Sequence, residues 1–143
     1  MRKEEEFKKE LEKLADKIRK LLGELEGTWT FEDGREYSEF MEEREEKNYE
    51  IWNKIDTMVD EIADKYGYDY EFNGLGNIPF SGLGFKHEYS ITNIDFYDEE
   101  GRNRYTIKVS EHIWVVCPPA STYYTYGYEL EGVDVFEVEE EDP

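Results

Sequence analysis

The chain is poor in the residues that build most catalytic and metal centres: it has one cysteine and two histidines in 143 residues. A single Cys117 excludes an internal disulfide and fits a reducing compartment. His87, His112 and Cys117 are the candidates for soft metal ligands, but their spacing matches no zinc pattern, in which His or Cys come in close pairs. Ser38, Ser81, Ser90, Ser110 and Ser121 stand in no Gly-x-Ser-x-Gly context. The glycine-punctuated stretch from Gly74 to Gly84 has neither Gly-x-Gly-x-x-Gly nor a Gly-Lys-Ser/Thr ending, so it reads as a connector and not a phosphate cradle. Carboxylate pairs for acid–base chemistry cannot be singled out among 37 acidic residues. These gaps predict a protein that is not an enzyme and holds no cofactor or metal.

Long apolar runs are missing as well. No segment approaches the ~18 residues of a membrane span, and the N-terminus alternates charges where a signal peptide would need an apolar core. A cytoplasmic location is expected.

Positive charge is scarce after the first 26 residues. The net charge is −20, yet residues 1–26 carry eight basic and eight acidic side chains and sum to zero. Residues 28–65 sum to −8 and residues 66–143 to −12. Such a surface repels nucleic acid and anionic membrane and attracts basic partners. Salt adaptation fits less well, because Glu outnumbers Asp 27 to 10 and Lys remains common.

What is plentiful is aromatic: 12 Tyr, 8 Phe and 3 Trp make 16% of the chain. That content supplies a core and argues against disorder despite the charge. At this length one domain is expected, burying roughly 68–70% of its unfolded surface.

Phe7, Leu11, Leu14, Ile18, Leu21 and Leu25 recur at alternating spacings of four and three, the seam of a helix over 4–26. Packing within the chain is the expected use of that seam, with dimerisation the alternative. Trp29 and Phe31 before Glu32-Asp33-Gly34 suggest a short strand or hairpin. A second helix is expected over 37–66, stopped by Gly67. The two seams suit an antiparallel helical hairpin. Beyond residue 68 the apolar period shortens to two. Tyr68–Asn73, Phe85–Tyr97 with a bulge near Asn93, an alternating strand through Tyr105, Ile107 and Val109 that Ile113–Val116 either continues or follows as another, and a hairpin of Tyr123–Leu130 and Val133–Val138 around Glu131-Gly132 are the candidate strands. Asp98 to Asn103 reads as a turn, Pro118-Pro119 as a sheet breaker, and 139–143 as an acidic tail. The predicted class is α+β: a helical hairpin followed by a four- to five-stranded antiparallel meander within a single domain, 1–138.

The second helix carries the main functional signal. At 100° per residue its acids gather opposite the apolar stripe, with Glu39, Glu42, Glu43, Glu46, Glu50, Asp60 and Asp64 as the candidate partner-binding residues. A solvated helix normally mixes signs to gain i,i+4 pairs; over residues 28–65 acids outnumber bases 13 to 5. Arg44 and Asn48 interrupt the apolar stripe, and pairing with first-helix carboxylates or fixing register is the expected role. In Thr122–Leu130, alternation sets Tyr124, Tyr126, Tyr128 and Leu130 on one face, as core or interface material.

In charge character and aromatic content the chain resembles the nucleic-acid-mimicking inhibitors of phages and mobile elements; the resemblance covers no alignable motif. It implies an acidic inhibitor, monomer or homodimer, that occupies the groove of a basic nucleic-acid-binding enzyme such as a restriction or CRISPR-type nuclease. An immunity protein neutralising a basic toxin nuclease, and an assembly subunit that oligomerises through its helical hairpin, are the alternatives.

Overall fold

The structure, a computed structural model, describes residues 2–82 and 84–138, with side chains described for all of these except residue 2 and residues 75–82. The expected tail at 139–143 lies outside the described residues. The element order is α1 (Arg2–Gly23), β1 (Gly27–Phe31), α2 (Gly34–Tyr66), β2 (Asp69–Gly82), β3 (Phe85–Tyr97), β4 (Asn103–Val116) and β5 (Tyr124–Glu137). The strands form one antiparallel sheet in the order β1-β5-β4-β3-β2. Thus β2 to β5 are a meander, and β1 joins it beside β5.

Both helices lie on one face of this sheet. The α1 seam is spent inside the chain: Phe7, Leu11, Leu14, Ile18 and Leu22 are fully buried against Ile94, Phe96, Ile107, Val109 and Val133. Each such side chain stabilises by roughly 1.5–3 kcal/mol. Phe7 centres an aromatic cluster, stacking on Tyr68 at 4.1 Å and meeting Phe96 and Tyr105 edge-on at 5.5 Å. The helices touch each other, but β1 runs between them in sequence and each packs its apolar side on the sheet.

α2 starts three residues earlier than expected because Asp33 caps it. The Asp33 carboxylate accepts Arg35 N–H at 2.9 Å. Gly67, at φ 75°, ends it, and Tyr68 N–H returns to Ala63 O at 2.9 Å. A helix of 33 residues is about 50 Å long, enough to cross the sheet from edge to edge. Near its start Phe40 meets Trp29 and Phe31 of edge strand β1 at 5.0 and 5.1 Å. Near its end the Tyr70 hydroxyl on edge strand β2 donates to Asp56 and Asp60 at 3.0 and 3.3 Å.

Three strand expectations need correction. The predicted connector at 74–84 is strand as far as Gly82: β2 continues past Asn73 after a register shift between Gly74 and Asn77. Glycine there marks the irregularity and not the end of pairing. The predicted hairpin at Glu131-Gly132 is instead a bulge within the single strand β5. Ser110 pairs with Gly132 and Glu111 with Leu130, leaving Glu131 extra. The predicted bulge near Asn93 is absent, since Thr92, Asn93 and Ile94 pair in unbroken register with Val109, Lys108 and Ile107. What changes there is the apolar face. Ile94 and Phe96 point to the helices, whereas Phe85, His87, Tyr89 and Ile91 fall on the opposite face.

Where β1 ends, β5 is left with an open edge. Two charged side chains close it: Arg19 donates to Val133 O at 2.5 Å, and Glu26 accepts Leu130 N–H at 3.0 Å. Bonding these backbone groups internally denies them to a passing strand. Among the described residues no helix is long and apolar enough to cross a membrane.

Candidate functional site

All seven α2 carboxylates singled out from the sequence are exposed: Glu39, Glu42, Glu43, Glu46, Glu50, Asp60 and Asp64. None of them forms an ion pair with a described residue. From Glu39 to Asp64 the helix rises roughly 37 Å at ~1.5 Å per residue. The stripe has two parts, because Asn53 and Thr57 interrupt its centre. Asp60 belongs partly to the scaffold, since it accepts from Tyr70. Burial, and then the Asp56 carboxylate, push the Tyr70 hydroxyl up to about 12. The stretch from Glu39 to Glu50 has no such duty. Beside it Tyr49 is 71% exposed, more than any other large apolar side chain described. With Trp52, Glu45 and Glu46 it rims an open hollow on the helix surface. Sequence reasoning passed over Tyr49, which lies off the apolar stripe and belongs to no motif.

Arg44 and Asn48 part company. Arg44 is 8% exposed and donates to the Leu25 carbonyl. Its guanidinium carbon sits 5.0 Å from the Trp29 ring centre, 5.2 Å from Tyr126 and 5.3 Å from Tyr128. The expected partnership with α1 carboxylates is therefore replaced by a backbone carbonyl and three aromatic faces. Asn48 is exposed and stands over a cleft of ≈ 300 Å³ between α2 and the sheet.

The floor of that cleft carries Glu88, Ser90 and Glu111 from β3 and β4, with Tyr126 and Tyr128 from β5. Glu111 continues the helix-facing row of Ile107 and Val109. It is buried, its Oε2 accepts the Tyr128 hydroxyl at 2.6 Å, and burial raises its pKa. Burial likewise raises the Tyr128 hydroxyl, with the Glu111 carboxylate adding to it. Nothing in the sequence announced this grouping, since its members come from separate strands.

The other face of the sheet is uncovered by helices. There Tyr89 stacks on His112 at 4.4 Å with planes 4° apart, and His112 lies 5.0 Å from Trp114. His112 Nε2 is 2.7 Å from His87 Nδ1. The histidines are thus partners on one surface, flanked by Phe85 at 5.3 Å from His87. Cys117 does not join them, and among the described residues no three His, Cys, Asp or Glu side chains are grouped to hold a metal ion. Tyr124, Tyr126 and Tyr128 share the helix-facing side as expected, with Tyr124 stacked on Tyr37 at 5.2 Å.

No family model, no curated protein and no solved structure matches the chain.

Proposed function

We propose that this chain is an acidic inhibitor that occupies the nucleic-acid groove of a basic protein, a restriction or CRISPR-type nuclease or a toxin nuclease, acting in the cytoplasm. One observation carries the reading: the α2 carboxylates stand exposed along one helix and form no ion pair with any described residue. The five candidate carboxylates from Glu39 to Glu50 span roughly 16 Å, about one per 4 Å, against one per ~3.4 Å along a single nucleic-acid strand. Lys and Arg side chains that track phosphates can meet such a row. Tyr49 and Trp52, set among the carboxylates of the Glu39–Glu50 stretch, supply the aromatic anchors that binding hot spots favour. The α1 seam is buried within the chain, so an assembly through the helices would have to use another of their surfaces.

The test is inhibition of cleavage across a panel of such nucleases, at low and high salt, with excess non-substrate DNA as competitor. Inhibition that weakens steeply with salt, is relieved by DNA, and disappears in the Glu42→Lys, Glu46→Lys, Glu50→Lys triple variant is expected. Undiminished inhibition by a folded triple variant would remove α2 from the proposal.

A further inference from the structure

Beneath α2 lies a buried carboxyl that meets no cation. Glu111 is 8% exposed, and the Tyr128 hydroxyl is its one hydrogen-bond partner among the described residues. Oε1 has no such partner, and the residue lines the cleft. No Lys or Arg nitrogen among the described residues pairs with it. A carboxyl removed from water without a counter-charge is costly unless a cation arrives.

The cleft has the shape to deliver one. Its ≈ 300 Å³ sits at the bottom of the range for small-molecule pockets, roughly 300–1,000 Å³, and suits one side chain. A smaller hollow of ≈ 190 Å³ adjoins it, sharing Met41, Glu88, Ile113 and Tyr126 and adding Val115 and Lys86. Together they make a trench with Met41, Ile113 and Val115 as apolar walls and Lys86, Glu88 and Glu111 as the charged side chains of its sheet side.

Resting on the reading of a basic partner, the geometry points to a slot for one arginine side chain of that partner. Its aliphatic stem would lie along Met41, Ile113 and Val115, and its guanidinium would sit between Glu88 and Glu111. A planar, weakly hydrated guanidinium suits this better than an ammonium. Arg44 lines the same cleft, but its guanidinium is held on the Leu25 carbonyl and the rings of Trp29, Tyr126 and Tyr128, so a second guanidinium has to sit on the Glu88–Glu111 side. An anion would face three carboxylates, Glu45, Glu88 and Glu111, against the one guanidinium of Arg44. Glu88 is already 3.9 Å from Lys86, so Glu111 is the carboxyl with most to gain.

The experiment is a titration of the full chain with N-acetyl-L-argininamide, followed by backbone amide NMR shifts. Its neutral isostere N-acetyl-L-citrullinamide and citrate serve as controls. Saturable shifts centred on Ser90 and Glu111 are expected for the arginine probe, with at least about tenfold weaker binding of the citrulline probe and of the arginine probe to Glu111→Gln. Should Glu111→Gln disturb the fold, Glu88→Gln gives the same readout. Equal binding of the citrulline probe, citrate shifting the same amides, or unchanged affinity in both Gln variants would overturn the slot. The α2 triple Lys variant separates the two readings: it should bind the arginine probe as well as the parent does while losing nuclease inhibition. Loss of the slot with inhibition intact would fault this inference alone, and an intact slot with no inhibition by the parent would fault the proposed function alone.

Discussion

The indole of Trp114 lies against Gly127, its direct cross-strand partner, so closely that a β-carbon at 127 would overlap the ring. Glycine here is a packing requirement on the uncovered face of the sheet. Gly127→Ala should displace the indole and cost about 1–3 kcal/mol, as overpacking does. Denaturant unfolding measures the loss, and near-UV circular dichroism reports the indole. In a Trp114→Ala background the same substitution should cost almost nothing, because the obstacle is gone.

Tyr70 ties the last turns of α2 to edge strand β2. Its hydroxyl is pushed up to about 12, first by burial and then by the Asp56 and Asp60 carboxylates. In the unfolded chain a tyrosine loses its proton near 10. Between these values the unfolded state binds fewer protons than the folded one, so stability falls as pH rises through that window. Tyr70→Phe should cost up to about 1 kcal/mol near neutrality. It should also flatten the alkaline decline of the melting temperature. An unchanged alkaline slope would mean that Tyr70 does not set it.

Glu111 gives the opposite test at the acid end. Burial holds its pKa above the ordinary carboxylate value. Through the window above that value the folded chain keeps a proton that the unfolded chain has lost. Stability therefore falls as pH rises through the window and stays lower above it. Glu111→Gln can still accept the Tyr128 hydroxyl and carries no charge. It should be more stable than the parent near neutrality, by on the order of 1 kcal/mol, and the advantage should vanish on acidification. Melting curves from about pH 4 to 8 decide it. A site that weakens the resting fold in this way is expected where a ligand supplies the missing charge.

Arg44 anchors the start of the helix-to-sheet contact. Arg44→Ala removes a charged hydrogen bond to Leu25 O and three cation–ring contacts. A loss on the order of 3 kcal/mol is expected in denaturant unfolding. Arg44→Lys should recover only part of it, since an ammonium cannot hold the carbonyl and lie flat among the rings together.

Local rules exposed most of the fold. The spacing of Phe7 to Leu21 gave α1, though the helix stops at Gly23 and leaves Leu25 in the turn beyond it. Gly67 gave the end of α2, and the alternation of Tyr105, Ile107 and Val109 gave the centre of the sheet. Errors arose where one local signal has two structural uses. Glu131-Gly132 serves a bulge as well as it serves a turn, and only the register against Ser110 and Glu111 separates them. The change of apolar phase at Asn93 was a change of face, which needs knowledge of which side the helices cover. The exposure of the α2 acids followed from helical geometry alone. The cleft did not, because Arg44, Glu88 and Glu111 come together only through strand order.

The α2 stripe predicts a conflict between stability and binding. Glu42, Glu46 and Glu50 follow one another at i,i+4 spacing, so Glu46 repels a like charge on either side. Glu46→Lys turns both repulsions into attractions, and Glu42 followed by Lys four residues later is the better orientation. Each pair is worth about 0.2–0.5 kcal/mol in either sense, so the swing is roughly 1 kcal/mol. For a chain of this size that is about 2–4 °C in melting temperature. The gain should shrink as salt rises, because these side chains are exposed. If the stripe is a binding surface, the stabilised variant should be the poorer inhibitor, with the loss greatest at low salt. A Glu46→Lys protein that is more stable and inhibits equally well would assign the stripe to solubility alone. A general acid coat predicts a gain in stability at no functional cost; a binding surface predicts the gain and the cost together.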